Sequence, residues 1–144
     1  MTKCVGHRSK IAFKSYIAIF VCFATKASHL EVVSQLTTDH FLSALSRFIA
    51  RRGKPASISS DNGTNFVGAA NYLDLTDTKI LDTSANEGIT WKFNASCAPH
   101  RGGIWESAVK AMKYHLVRCT HGLILTFEEL TTVMCRIEFR SEEA

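Results

Sequence analysis

Two acidic residues, Asp61 and Glu106, occupy the parts of this 144-residue chain best suited to chemistry. Asp61 lies in the run Ser60-Asp61-Asn62-Gly63-Thr64-Asn65-Phe66, whose composition puts a carboxylate at the end of a short strand where the backbone turns at once. Glu106 closes the run Pro99-His100-Arg101-Gly102-Gly103-Ile104-Trp105-Glu106, which is expected to place a second carboxylate in the first turn of a helix. Hard divalent cations prefer carboxylate oxygens and keep positions open for water and phosphate. A pair of acids brought together from such places therefore points to metal-assisted phosphoryl transfer on nucleic acid.

Each acid also has a plain structural explanation. Asp-Asn-Gly favours Asx turns, and an acid early in a helix is stabilised by the dipole and pairs with a base four residues on, here Lys110. Asn62 and Asn65 offer neutral donors and acceptors beside Asp61. The double glycine before Glu106 is expected to leave backbone N–H groups open to phosphate. His100 either contacts substrate or hydrogen-bonds the turn, and Trp105 is read as a core residue.

The elements that must carry these acids follow from periodicity and capping. Residues 16–24 form an apolar, β-branched run too short to span a membrane and read as a buried central strand. Residues 29–34 alternate polar with apolar, as a half-buried neighbour joined by a hairpin would. Thr37 or Thr38 is suited to cap a helix through Phe41, Leu42, Leu45, Phe48 and Ile49, which Gly53 and Pro55 end. Residues 56–60 read as a strand parallel to an earlier one, followed by a short helix at residues 69–75, a polar loop and a strand at residues 89–93. A helix is expected over residues 104–119, with Trp105, Ala108, Val109, Met112, Leu116 and Cys119 on one face and Glu106, Lys110 and Lys113 beside it. Thr126-Phe127-Glu128-Glu129 has the form of a capping box opening a last helix. This order describes an α/β domain with a mixed sheet.

Composition bounds the reading. A hydrophobic share of 46% and a charged share of 21% suit one compact globular domain. The formal net charge is +4, but nine basic residues face only Glu31 and Asp39 before position 61, while the stretch from Asp61 to His100 is acidic. A basic half beside an acidic centre suits a polyanion approaching a metal site. The five cysteines form no CxxC pair, so reduced thiols are expected and a structural zinc site is not.

The two acidic motifs together resemble the integrase catalytic core of retroviruses and retrotransposons, most closely the BEL/Pao elements of animals. Residues 16–31, 48–53 and 109–116 extend the resemblance, which covers residues 11–138. It implies a ribonuclease H-like mixed sheet with flanking helices, and a triad of two Asp and one Glu holding two Mg²⁺ or Mn²⁺. Asp61 matches the second acid and Glu106 the third. Lys110 and Lys113 match positions that approach DNA phosphates, and Asn62, Asn65 and His100 complete the candidate nucleic-acid contacts.

The family's first Asp lies on a strand preceding residue 16, and residues 1–10 contain no acid. The expectation is therefore one domain over residues 1–144, truncated at both ends, with the first strand missing and a site for one metal ion or none. Such a core would be catalytically impaired. The expected partners are DNA and a second copy of the chain, with no membrane and no small-molecule substrate, and the expected location is intracellular, nuclear if DNA is bound. A second reading is a domesticated or decayed fragment serving as a protein interaction or dimerisation module.

Overall fold

A computed structural model of the chain describes residues 2–5, 12–79, 88–93 and 99–143. Its contacts divide into two compact units, Met1–Gln35 with His100–Ala144, and Leu36–Pro99. The expected polar loop before residue 88 falls largely outside the described residues.

The first unit is built on strands β1 (Thr2–Val5), β2 (Ala12–Val21) and β3 (Ser28–Val33). The expectation that a first strand is missing is corrected here. β1 pairs antiparallel with the start of β2, Thr2 opposite Ser15 and Val5 opposite Ala12. The reason is that β2 starts at Ala12 rather than residue 16, and its backbone N–H and C=O groups need a partner on the side away from β3. β2 also stops earlier than expected. Cys22 N–H donates to the Ala27 carbonyl and Lys26 adopts φ 64°, so Phe23 and Ala24 belong to the hairpin turn.

β3 differs from its alternating pattern in a second way. Residues His29, Leu30, Glu31, Val32 and Val33 are all buried, so both faces are covered rather than one. Leu30 and Val32 join Met112, Leu130, Met134 and Ile137 in the main apolar cluster of this unit. On the other face, His29 Nε2 lies 2.9 Å from Glu31 Oε1 and His29 Nδ1 lies 2.9 Å from Glu138 Oε1. Glu138 Oε2 also accepts the Leu30 backbone N–H at 3.1 Å.

Two helices complete the unit, α3 (Pro99–Thr120) and α4 (Phe127–Glu143), while α1 (Thr38–Arg52) and α2 (Thr64–Lys79) lie in the other unit. α4 opens with the expected capping box. Glu129 Oε2 accepts the Thr126 N–H at 2.8 Å and Thr126 Oγ1 accepts the Glu129 N–H at 3.2 Å. Leu125–Thr126 adds a short strand, β6, parallel to β1, giving the sheet order β3-β2-β1-β6. The periodic pattern could not signal so short an element.

The second unit contains α1 (Thr38–Arg52), β4 (Ser57–Ser60), α2 (Thr64–Lys79) and β5 (Thr90–Phe93). α1 follows its sequence signals. Thr37 Oγ1 accepts the His40 N–H, and Gly53 at φ 89° closes the helix by donating to the Ile49 carbonyl at 2.9 Å. β4 runs parallel to β5, Ile58 opposite Trp91, so its described partner is the later strand rather than an earlier one. α2 begins five residues before the expected helix, because the Gly63 carbonyl accepts from both Phe66 and Val67. It packs closely on α1 at Gly68, where an added Cβ would lie 2.4 Å from Thr38 Oγ1. Phe41 of α1 stands edge-on to Phe66 and Trp91, at centroid distances of 4.9 and 6.0 Å.

Among the described residues no helix is long and apolar enough to cross a membrane.

Candidate metal and nucleic-acid site

Asp61 stands in three residues of non-regular backbone between β4 and α2, and is exposed. Its Oδ1 accepts the Gly63 N–H at 2.9 Å, the Asx turn its sequence permits. Gly63 is enclosed by this turn. A Cβ there would lie 3.1 Å from Asp61 Oδ1 and 3.0 Å from Asn65 Oδ1. Asn62 is exposed and Asn65 half-buried in the first turn of α2, so the structure gathers Asp61, Asn62 and Asn65 around one helix start.

The backbone leading to Asp61 is tied from β5. Trp91 Nε1–H donates to Ser60 Oγ at 2.9 Å, and that hydroxyl donates to the Asp61 carbonyl at 2.9 Å. Sequence reasoning missed this connection, because thirty-one residues separate Trp91 from Ser60. The parallel register of β4 and β5 would have been the only signal for it.

Glu106 lies in the other unit, exposed on α3. Its expected place in the first helical turn is corrected. α3 starts at Pro99 and has no acid in its first turn, so Glu106 lies two turns in, beyond the strong field of the helix end. Gly102 and Gly103 are inside the helix rather than before it, and a Cβ at Gly103 would meet nothing within 4 Å. The double glycine misled the sequence reading, because glycine disfavours helix interiors by only about 1 kcal/mol and the flanking residues outweigh it. His100 belongs to this first turn.

Lys110 and Lys113 are both exposed on α3, as the helical spacing implied. One turn further, Arg118 donates to the Tyr114 hydroxyl and its guanidinium carbon lies 5.3 Å from the ring centroid. Cys119, expected on the apolar face, is exposed, as are Cys22 and Cys135. A hydrogen bond from the Thr25 side chain holds the Cys22 thiol below its ordinary pKa, with help from backbone N–H groups at Thr25 and Ala24 and the charge of Lys26.

Among the described residues no group of three or more His, Cys, Asp or Glu side chains is gathered as a metal site. An exposed carboxylate with one oxygen anchored by a backbone N–H suits a hard cation that keeps most of its water.

No family model matches the chain, and no curated protein matches it. Solved structures do. The catalytic core domain of HTLV-2 integrase, in complex with magnesium and in trimeric form, superposes with a TM-score of 0.64 at 17% identity over 96% of this chain and 80% of that one. A chain of the simian T-cell lymphotropic virus intasome, in complex with PP2A regulatory subunit B56 gamma, superposes with a TM-score of 0.63 at 16% identity. That match covers 87% of this chain and 45% of the other. At these identities the likeness is one of fold. The chain has the mixed α/β fold of integrase catalytic cores.

Proposed function

We propose that this chain is an integrase-core-like nucleic-acid-binding domain related to DNA integration, with Asp61 and Glu106 as its metal-binding carboxylates. The observation that carries the reading is the integrase-core fold combined with Asp61 at the β4 to α2 junction. The magnesium in the HTLV-2 core supports the metal as Mg²⁺, or Mn²⁺ by the same oxygen chemistry. When bound, such an ion supplies Lewis-acid polarisation of a phosphodiester oxygen. Asp61 offers a carboxylate whose orientation the Gly63 N–H fixes, while Lys110 and Lys113 meet the phosphate backbone. Asn62, Asn65 and His100 are the remaining proposed contacts to the strand. BEL/Pao retrotransposons are the proposed origin, and a DNA partner would place the protein in the nucleus.

The resemblance expects a further Asp on a strand before residue 16, and residues 1–10 contain no acid. Two-metal catalysis is accordingly impaired in this proposal. A Mg²⁺- or Mn²⁺-dependent nicking and strand-transfer assay is expected to show no turnover. Activity abolished by Asp61→Asn would overturn that part. DNA binding is expected to weaken steeply with salt, and Lys110→Glu with Lys113→Glu is expected to reduce the salt slope by about two. Salt-independent binding, or none, would overturn the nucleic-acid reading.

The second reading, a protein interaction or dimerisation module, draws on one observation. Val117, Leu123, Ile124 and Phe127 are exposed apolar side chains in the first unit. A stable oligomer without DNA affinity would favour it.

A further inference from the structure

We infer that Trp91 is a positioning residue for Asp61, acting through the Ser60 hydroxyl. The inference rests on the proposed metal site and assigns to it a residue that neither the acids nor their motifs contain.

The connection has three links. The Trp91 indole N–H donates to Ser60 Oγ, Ser60 Oγ–H donates to the Asp61 carbonyl, and Asp61 Oδ1 accepts the Gly63 N–H, each at 2.9 Å. A serine hydroxyl has one proton and two lone pairs, so it serves both of its neighbours at once. The indole has only a donor, so its N–H orients the hydroxyl proton away from itself and toward Asp61. The result fixes the peptide after Asp61 as well as one oxygen of its carboxylate.

The indole is itself held. Phe41 packs edge-on against it at 6.0 Å, and Phe93 stacks on it at 6.1 Å with 26° between planes. Phe41 also meets Phe66 in the first turn of α2, so one aromatic side chain touches both the helix after Asp61 and the indole that bonds Ser60. Phenylalanine at position 91 would keep these ring contacts and lose the hydrogen bond. That separates packing from positioning. A purely structural role for Ser60, as a partner that a half-buried indole N–H needs, would leave Asp61 indifferent to the change.

The test uses the full chain and Trp91→Phe, Ser60→Ala and Ser60→Thr. Mn²⁺ affinity is read by water-proton relaxation, and protection of the Gly63 amide by hydrogen exchange in the metal-free protein. Trp91→Phe and Ser60→Ala are each expected to weaken Mn²⁺ binding about tenfold, as loss of an outer hydrogen bond to a ligand does elsewhere. Both are also expected to lower Gly63 protection, and the double variant is expected to be no worse than either single one. Ser60→Thr keeps the hydroxyl and is expected to bind like the unaltered chain. Unchanged affinity and Gly63 protection in Trp91→Phe would overturn the inference, and Ser60→Ala provides the same reading should Trp91→Phe fail to fold. Failure of the unaltered chain to bind Mn²⁺, with Gly63 protection still falling in Trp91→Phe, would overturn the metal reading and uphold the action of Trp91 on Asp61.

Discussion

The acids of the two units are used in opposite ways. Glu31 and Glu138 are buried around His29, where two carboxylates face both ring nitrogens and one also takes the Leu30 N–H. Asp61 is exposed, and its described side-chain bond is a local turn two residues long. Carboxylate acceptors on both nitrogens of His29 require a proton on each, or a protonated carboxyl opposite one of them. Buried charges persist only when paired in this manner. The acids most firmly bound into the fold are not the candidates for chemistry, and Asp61, the proposed cation ligand, is one of which the structure asks little.

The strongest way to break this contrast is Glu138→Ala. It removes the partner of His29 Nδ1 and of the Leu30 N–H, and is expected to cost about 3–5 kcal/mol in denaturant unfolding. Glu138→Gln keeps an acceptor for the backbone and is expected to cost less. A stability change as small as that of Asp61→Asn would dissolve the distinction.

Next comes a contact within the second unit. Gly68→Ala drives a methyl into Thr38, whose Oγ1 would be 2.4 Å away, and is expected to cost about 1–3 kcal/mol. Thr38→Ala in the same chain should recover part of that loss, because the Thr38 side chain supplies the nearest atoms. Additive losses would show that the two helices do not meet there.

Thr126→Ala removes one half of the α4 capping box and is expected to cost about 1 kcal/mol by thermal unfolding. Smallest of all, Asp61→Asn keeps an oxygen for Gly63 and is expected to change stability by less than about 0.5 kcal/mol. The same variant should abolish Mn²⁺ binding, so a stability effect near that of Gly68→Ala would show that Asp61 is structural.

Local chemistry was legible in the sequence, and distant pairing was not. Thr37 and Gly53 bound α1 as their types demand, and Thr126 with Glu129 opens α4, because caps act across three or four residues. The start of α3 was misread because Gly102 and Gly103 look like a boundary, whereas the helix tolerates them. β1 carries no strong period, since two of its four residues are polar, and is defined by its register against β2. His29 and Glu31 look like the wet side of an alternating strand. Glu138, 109 residues away from His29, meets that face from α4. At the candidate site, Asp61 and its Asx turn could be read directly, while the Trp91 to Ser60 bond needed the register of two strands.

The carboxylate of Glu138 has one more consequence. Among the described residues β3 is the last strand in its sheet, so its outer backbone groups are a template on which another extended chain could grow. By consuming the Leu30 N–H, Glu138 removes a donor that an incoming strand would need, and places charge where that strand would lie. The helix that covers the core thereby shields this border of the sheet from strand addition at Leu30.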